Sequence, residues 1–429
     1  MNILRLTPHF YHPPEITEGK WDVRLDPIGG MQTQIYRLAI ALSDKGVSQT
    51  VLTIGVKKGL KKWVLNKNIN VVKSNTIMLP IKSRVRGTVG LNIYWGIGTV
   101  MKIIWYKFLG YNSKHNVFDI IHSHCSGVAA PIIVGYMAKL LLGKPLIYTV
   151  HCSRVSTYEP MNRLDRIINK YIIKIEEFCI KKCDGCILLT EKTKSAMLRH
   201  YLGIDTNKLN IIPDMISFKD FSACASSDDV KHIYEKYQLQ DKKNIISFVG
   251  RIAHEKGWKY LVEAIDMFKQ NTANDVHFIF CGDGNERYEL QEMVDNFGLK
   301  QYVTITGFVA TKDVAAVLKI SQIIVVPSLH EELGSVILEA ACMKKALIIT
   351  SACGLKDLLI YNDAALIIPP KSPCDIYNKI IYLINNKEIR ISLGKKLHQA
   401  LAIGFDKEMI CDLTIEQYNK LAQMSSAKS

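Results

Sequence analysis

Short, almost wholly apolar runs alternate along the chain with longer segments in which apolar residues recur every three or four positions. The apolar runs stand at 2–7, 48–55, 118–124, 145–151 and 185–190 in the first half, and at 244–250, 276–282, 302–307, 322–328 and 345–351 in the second. Segments with helical spacing, such as 31–46 and 164–183, lie between them. Strands that are apolar throughout are buried on both faces, which is typical of parallel sheets covered by helices. The pattern therefore predicts an α/β protein with two Rossmann-like, doubly wound domains.

The domain boundary is predicted from a change in this pattern. The stretch 214–242 is polar and weakly patterned, which favours a junction. We expect an N-terminal Rossmann-like domain at 1–213 and a C-terminal Rossmann-like domain at 214–400. The charged tail at 401–429 is expected to be a helix that packs back towards the N-terminal domain. Ligands of open α/β sheets bind beyond the carboxyl ends of the strands, so two such domains predict a cleft between them.

The segment "PSLHEELGSVILEAACMKKALIIT" carries two glutamates in a mostly apolar setting, where an ionised carboxylate needs a partner. Glu331 falls in the loop between the predicted strand and helix, and Glu339 about one turn into that helix. Gly334 allows close approach of a ligand. The backbone N–H groups of Leu333, Gly334 and Ser335 are expected to face an anion at the helix N-terminus.

Three interpretations of the glutamates remain open. Carboxylates are good acceptors for vicinal hydroxyls, so one could hold a sugar ring and the other a ribose. A second interpretation is an acid–base pair of a glycosidase, but one carboxylate is set in a helix beside phosphate-binding groups. A third is helix capping by Ser335 and Glu339. It is disfavoured, because a capping box requires a spacing of three residues and these two are four apart.

Two cations and a pair of glycines are further candidates for binding an anionic ligand. Arg251 and Lys256 follow the predicted strand at 244–250 and precede an amphipathic helix, a placement that suits a diphosphate as well as a pair of surface cations. Gly29 and Gly30 immediately precede another helix, where bare backbone N–H groups can approach a phosphate or hydroxyl. The glycine pair alone also fits an ordinary turn, and no GxGxxG motif follows.

Histidines and cysteines provide further candidates. His151 ends a predicted strand, which fits a cleft residue and a buried structural histidine equally well. His122 and His124 share one face of a strand, and a buried hydrogen-bonded role is favoured over a metal site because no further ligand stands at a fitting offset. One cluster of cysteines lacks the fourth ligand of a zinc set: Cys179, Cys183 and Cys186.

The net charge of +15 at pH 7 fits an anionic partner or a Lys-rich solvated surface, and its dispersion argues against nucleic acid. Eleven cysteines, several of them in apolar runs, are typical of a reduced cytoplasmic protein. The start of the chain lacks the pattern of a signal peptide. The apolar segments 89–110 and 128–143 are interrupted by lysine or too short for a span, so they predict core or interfacial helices.

Together, "GRIAHEKGW" and "PSLHEELGSVILEAA" resemble the retaining GT-B glycosyltransferases of family 4. In that family an Arg and a Lys bind the donor diphosphate and a Glu-x7-Glu motif binds the donor sugar and ribose. The resemblance implies these roles for Arg251, Lys256, Glu331 and Glu339. It also makes Gly29–Gly30 the N-terminal glycine loop and His151 the cleft histidine.

The resemblance makes 1–213 the acceptor-binding domain and 214–400 the nucleotide-sugar-binding domain. The acceptor-binding domain carries a closer resemblance. "LRLTPHF", "GGMQTQIYRL" and "HCSRVSTYEPMNRLDR" are similar to the 2-deoxystreptamine glycosyltransferases of aminoglycoside antibiotic biosynthesis. This implies transfer of N-acetylglucosamine from UDP-GlcNAc to 2-deoxystreptamine, giving 2'-N-acetylparomamine. UDP-glucose as donor, or a lipid or cell-wall acceptor with the same fold, are the alternatives.

The resemblance also implies a mechanism without a bound cofactor or metal, and no Asp-x-Asp motif stands where a divalent cation would act. The departing phosphate would help to deprotonate the acceptor, with His151 positioning the donor sugar. A cationic aminocyclitol favours acidic groups, and Asp26 and Glu159 are the candidates. Solvent-exposed carboxylates are the simpler interpretation of both.

Overall fold

The computed structural model describes residues 1–11, 30–54, 62–74, 91–108, 118–156, 163–270 and 275–426. The chain divides into two compact units, one comprising Met1–Pro213 with Ile410–Ser429 and the other Asp214–Met409. Each unit is built around its own sheet. Among the described helices, none combines the length and the apolar character needed to cross a bilayer.

The first unit contains an eight-stranded sheet. Its strands are β1 (Asn2–Leu6), β2 (Ser48–Thr53), β3 (Lys62–Asn66), β4 (Ile69–Lys73), β5 (Ile120–Ser126), β6 (Leu146–Cys152), β7 (Gly185–Leu188) and β8 (Leu209–Ile211). Their order is β3-β4-β2-β1-β5-β6-β7-β8, and every neighbouring pair is parallel except β3 and β4. The chain thus winds outward in both directions from β1, as in a doubly wound fold.

Helices connect these strands and cover the sheet. They are α1 (Gly30–Asp44), α2 (Leu91–Phe108), α3 (Ala129–Leu142), α4 (Arg163–Lys182) and α5 (Glu191–His200). Leu4 and Leu6 of β1 belong to one large core with Trp95 of α2. On the opposite face, Val51 of β2 packs in a second core with Ile35 of α1. Both faces of the sheet are therefore buried, which explains the absence of polar alternation in its strands.

The second unit contains a wholly parallel six-stranded sheet. Its strands are β9 (Asn244–Val249), β10 (Val276–Cys281), β11 (Val303–Gly307), β12 (Ile323–Val326), β13 (Ala346–Thr350) and β14 (Leu366–Ile368). Their order is β11-β10-β9-β12-β13-β14, the arrangement of a dinucleotide-binding sheet. Since β9 and β12 are neighbours from which the chain winds in opposite directions, their carboxyl ends form the topological switch point, where ligands of such sheets bind.

The helices of the second unit precede, connect and follow its strands. They are α6 (Phe218–Ala223), α7 (Ser227–Lys236), α8 (Trp258–Gln270), α9 (Arg287–Asn296), α10 (Thr311–Ile320), α11 (Ser335–Cys342), α12 (Lys356–Tyr361), α13 (Pro373–Asn385) and α14 (Lys387–Leu401). The polar stretch 214–242 is thus largely helical. Ser226 and Asp229 form a reciprocal capping box at the start of α7, a signal that spacing of apolar residues does not reveal.

The last helix, α15 (Lys407–Ser426), belongs to the first unit from Ile410 onwards. Tyr418 is fully buried, with its ring 5.6 Å from that of His122 in β5. A Cβ atom at Gly185 of β7 would lie 3.3 Å from Leu421. The helix therefore packs against β5 and β7 of the first sheet.

Candidate active site

The loops that follow β9 and β12 touch each other at the switch point. After β9 the chain forms a short 3-10 turn, His254–Lys256, and enters α8 through Gly257. Gly257 has a φ of 65°, and a Cβ atom there would lie only 2.0 Å from the carbonyl oxygen of Pro327. The N–H of Leu329 also donates to the carbonyl oxygen of Glu255 over 2.8 Å. These contacts fix the two loops against each other, and each carries predicted site residues.

Lys256 and Glu331 form an ion pair across this junction. Lys256 Nζ lies 2.7 Å from Oε2 of Glu331, and the two side chains are 24% and 10% exposed. Ser328 donates its hydroxyl hydrogen to the same oxygen over 3.1 Å. Two donors therefore hold one carboxylate oxygen in place. Because the pair is only partly buried, it is both oriented and near the surface, as a ligand-binding carboxylate needs to be.

Arg251 lies in the same loop as Lys256 and is paired with Glu255. Its Nη2 atom is 2.5 Å from Oε1 of Glu255, and the side chain is 44% exposed. Burial raises the pKa of Glu255, but the charges of Arg251 and Lys256 and a backbone hydrogen bond outweigh it, so the pKa is lowered overall. An exposed pair of this kind contributes little to stability. The loop thus presents two cations held in place by carboxylates.

The N-terminus of α11 adjoins this group. Gly334 is the N-cap residue with a φ of 85° and provides no side-chain cap. A Cβ atom at Gly334 would lie 3.1 Å from Cγ of Glu331. The buried Leu333 precedes it and Ser335 begins the helix. The positive end of the helix dipole is therefore directed to the same region as Lys256.

Glu339 lies about one turn along α11. Burial, with a contribution from the charge of Glu339, raises the pKa of Cys281 at the end of β10 to about 12. The charge of Glu339 thus acts on the thiol at the end of β10. The second unit thus brings Arg251, Lys256, Glu331 and Gly334 into one group, with Glu339 farther along the helix.

The candidate residues of the first unit lie at the start of α1 and the end of β6. Gly30 begins α1, and His151 lies in β6 with Nε2 3.1 Å from Nδ1 of His124. Burial, followed by the charge of Arg5, lowers the pKa of His151 to about 3. The imidazole is therefore neutral near pH 7. Gly29, Asp26 and Glu159 lie outside the described residues.

The cysteine cluster and the paired histidines are parts of the first unit's interior. Cys179, Cys183 and Cys186 belong to its large apolar core. His122 and His124 are fully buried and hydrogen-bonded. Within the described part of the chain, no group of three or more His, Cys, Asp or Glu side chains is arranged to hold a metal ion.

Three partners of the predicted residues were not anticipated from sequence: Ser328, Glu255 and Arg5. Ser328 and Glu255 are polar residues of loops, and nothing in their spacing marks them as partners of site residues. Arg5, in contrast, interrupts an apolar strand, "NILRLT", and such a residue can be recognised from sequence as a charge that the fold has to bury.

The contact at Gly257 predicts a large effect on stability. Gly257→Ala should destabilise the second unit by about 2–4 kcal/mol, because the new methyl group meets backbone atoms that cannot move aside. Gly143→Ala is a matched control, since Gly143 has the same φ of 65° but a methyl group placed there meets nothing described within 4 Å. It should cost about 1 kcal/mol, the strain of the left-handed backbone alone. Equal losses in urea unfolding would contradict the close approach of the two loops.

Solved structures share this architecture. Sucrose-phosphate synthase from Thermosynechococcus elongatus superposes with a TM-score of 0.78 over 98% of both chains, at 18% sequence identity. HepE of Anabaena in complex with UDP-glucose superposes with a TM-score of 0.70 over 98% of this chain and 100% of that one, at 16% identity. Two Rossmann-like parallel-sheet domains of this kind define the GT-B fold of glycosyltransferases.

Family models and relatives at higher identity are more specific. Residues 229–399 match the model of glycosyl transferases group 1, and residues 28–218 match that of glycosyltransferase family 4. The 2-deoxystreptamine N-acetyl-D-glucosaminyltransferase of Niallia circulans is 34% identical over 371 residues, 86% of this chain and 92% of that one. The 2-deoxystreptamine glucosyltransferase of Streptomyces kanamyceticus is 33% identical over 312 residues, 72% and 78% of the two chains. The chain belongs to the family 4 glycosyltransferases.

Proposed function

We propose that the protein transfers N-acetylglucosamine from UDP-GlcNAc to a hydroxyl of 2-deoxystreptamine, giving 2'-N-acetylparomamine with retention at the anomeric carbon. The Lys256–Glu331 pair at the switch point, with Arg251 beside it, is the observation that carries the nucleotide-sugar half of the proposal. The names of the relatives from Niallia circulans and Streptomyces kanamyceticus support the aminocyclitol acceptor.

The donor is assigned to the second unit. Arg251 and Lys256 bind the diphosphate, aided by the N-terminus of α11. Glu331 accepts hydrogen bonds from the hexose hydroxyls while Lys256 and Ser328 hold its other side. Glu339 accepts from the ribose hydroxyls. In this arrangement the carboxylates orient the sugar and the cations stabilise the charge of the leaving group.

The chemical step moves one bond and one proton. The acceptor oxygen forms a bond to the anomeric carbon on the face from which the bond to the β-phosphate oxygen breaks. UDP leaves with the bonding electron pair, and the proton of the acceptor hydroxyl passes to the departing phosphate oxygen. Arg251 and Lys256 stabilise the negative charge that develops on UDP. His151 orients the donor sugar as a neutral hydrogen-bonding group.

The acceptor is a small polycation. We assign its ammonium groups to Asp26 and Glu159, whose carboxylates would pair with them at neutral pH. Glu159→Gln should raise the KM for 2-deoxystreptamine and leave that for the donor unchanged. An unchanged acceptor KM would remove Glu159 from the acceptor site.

Mass spectrometry of the purified protein with 2-deoxystreptamine and either UDP-GlcNAc or UDP-glucose tests the proposal. We expect the N-acetylglucosaminyl product, with an α-linkage by NMR spectroscopy. Because Arg251 and Lys256 supply the positive charge, the rate should be the same with and without EDTA. Faster turnover of UDP-glucose would reassign the donor, and loss of activity in EDTA would place a divalent cation on the diphosphate.

An apolar stripe on α2 favours a lipid or cell-wall acceptor as the second candidate. Large side chains on one side of this helix are 46–67% exposed: Ile93, Ile97, Met101, Trp105 and Phe108. Lys102 and Lys107 lie against the rings of Trp105 and Phe108, and the helix carries no acidic residue. Apolar residues flanked by lysines complement the surface of an anionic bilayer.

Vesicles distinguish the two acceptors. A lipid acceptor predicts co-sedimentation with phosphatidylglycerol vesicles and its loss in Trp105→Glu, with no turnover of free 2-deoxystreptamine. Turnover of the free aminocyclitol in the absence of vesicles would reject the lipid acceptor.

A further inference from the structure

A buried arginine lies at the centre of the first sheet. Arg5 of β1 is fully buried, although removing the charge of an arginine from water costs free energy. Gln49 Oε1 accepts from Nε over 3.0 Å and from Nη2 over 2.8 Å. Its other hydrogen-bond partners within the described chain are the side chains of His122, His124 and Tyr418. All of these partners are neutral, so the dipoles of their side chains offset the cost of burying the guanidinium charge.

The guanidinium determines which nitrogen of His124 carries hydrogen. Arg5 Nη1 lies 2.5 Å from Nε2 of His124. An arginine can only donate, so Nε2 of His124 accepts and the ring hydrogen is on Nδ1. Nδ1 of His124 lies 3.1 Å from Nε2 of His151. His124 therefore donates to His151 through Nδ1–H, and the hydrogen of the neutral His151 ring is on its own Nδ1.

A second branch from Arg5 obeys the same donor order. Arg5 Nη2 donates to the hydroxyl oxygen of Tyr418 over 3.5 Å. The Tyr418 hydroxyl lies 2.5 Å from Nδ1 of His122, and Nε2 of His122 lies 2.7 Å from the hydroxyl of Thr149. Tyr418 then donates to His122, which donates to Thr149. In both branches each side chain accepts a hydrogen bond from the neighbour nearer to Arg5 and donates one to the next side chain. The first branch leads to His151.

We propose that Arg5 is a positioning residue, which acts through His124 to hold His151 as the neutral Nδ1–H tautomer. His151 then serves as a hydrogen-bond donor through Nδ1 and has no role as a base, because its Nε2 lone pair is occupied by His124. The contact of this N–H group with an oxygen of the sugar or phosphate rests on the proposed function, whereas the tautomer does not. Burial and the charge of Arg5 both lower the pKa of His151 to about 3, which keeps the ring neutral at working pH.

NMR spectroscopy of the full chain with ¹⁵N-labelled histidine reads the tautomer directly. The protonated and unprotonated ring nitrogens differ in chemical shift, and His151→Asn identifies the His151 signals among the twelve histidines. We expect His151 to have a protonated Nδ1 and an unprotonated Nε2. A protonated Nε2 in the unaltered protein would overturn the proposal, so the test does not depend on any variant folding.

Three variants separate positioning from simple packing. Arg5→Gln offers His124 an acceptor as well as a donor, so the His151 signals should move to the Nε2–H form in part or fully. Arg5→Lys keeps a group that only donates and should retain Nδ1–H. Tyr418→Phe removes a buried hydroxyl from the other branch and should also retain it. An unchanged tautomer in folded Arg5→Gln would refute a role for Arg5.

Kinetics then connects the tautomer with catalysis. Arg5→Gln should lower kcat by about tenfold or more, the value of one lost oriented hydrogen bond, with little change in the KM of UDP-GlcNAc. Arg5→Lys should recover most of that loss. If no UDP-sugar is turned over, the proposed function fails while the NMR result still decides the tautomer. A normal kcat in a variant with altered tautomer would contradict a catalytic use of Nδ1–H.

Discussion

Arg251→Ala should lower kcat/KM for the UDP-sugar by about 10²–10³-fold, equivalent to about 2.7–4 kcal/mol of transition-state stabilisation. The arginine is expected to contact the β-phosphate, on which negative charge grows as the glycosidic bond breaks. In the structure it forms an exposed pair with Glu255, which contributes little to stability. Thermal unfolding of the variant should therefore be almost unchanged, and initial-rate kinetics carries the effect.

Two controls define the arginine effect. Arg251→Lys keeps the charge but not the planar fork and should show a smaller loss. Arg199→Ala removes an exposed arginine from the last turn of α5 and should have no effect on rate. Full activity in Arg251→Ala would refute the assignment of this side chain to the diphosphate.

Glu331→Gln should lower kcat/KM for the donor by about 10–10²-fold, mainly through a higher KM. The amide is isosteric and keeps one oxygen for Ser328, but it replaces a charged acceptor for the sugar hydroxyls, worth about 1.5–3 kcal/mol. It also removes the negative charge that pairs with Lys256, whose Nζ lies 2.7 Å from Oε2 of Glu331. Steady-state kinetics at varied donor concentration measures both parameters.

The neighbouring glutamate is the matched control for that substitution. Glu332 is as buried as Glu331, with 8% of each whole residue exposed, and belongs to the same loop. Glu332→Gln should leave the donor KM within about twofold of the original, because no contact with the nucleotide-sugar is assigned to Glu332. Equal effects at both positions would mean that the loss comes from disturbing the loop and not from a contact with the sugar.

The second sheet was the most predictable part of the fold. Its five predicted strands correspond to β9–β13, because each is a continuous apolar run that ends at a glycine or polar loop residue. The short β14 was missed, since three residues of strand carry no recognisable period. In the first sheet, the antiparallel pair β3 and β4 was also missed. The strand β3 lies at the sheet edge, where the apolar Val64 is exposed, so the residues of Lys62–Asn66 do not alternate between polar and apolar along the sequence.

The residues of the candidate site were predictable in part. Motif spacing placed Lys256 and Glu331 at the ends of two strands, although the two residues are 75 positions apart in sequence. Their contact follows from the strand order, in which β9 and β12 are neighbours, and the order cannot be derived from apolar periodicity alone. The partners of His151 were not predicted either. Its connection to Arg5 runs through side chains of three strands, and register determines which of them share a face.

One competition measurement tests both the donor and the acceptor of the proposed reaction. The purified protein is mixed with 2-deoxystreptamine and equal concentrations of UDP-GlcNAc and UDP-glucose, and the products are separated and identified by mass spectrometry. We expect N-acetylglucosaminyl-2-deoxystreptamine to predominate and UDP to appear in an amount equal to that of the glycosylated products. No glycosylated aminocyclitol of either mass would contradict the proposed reaction.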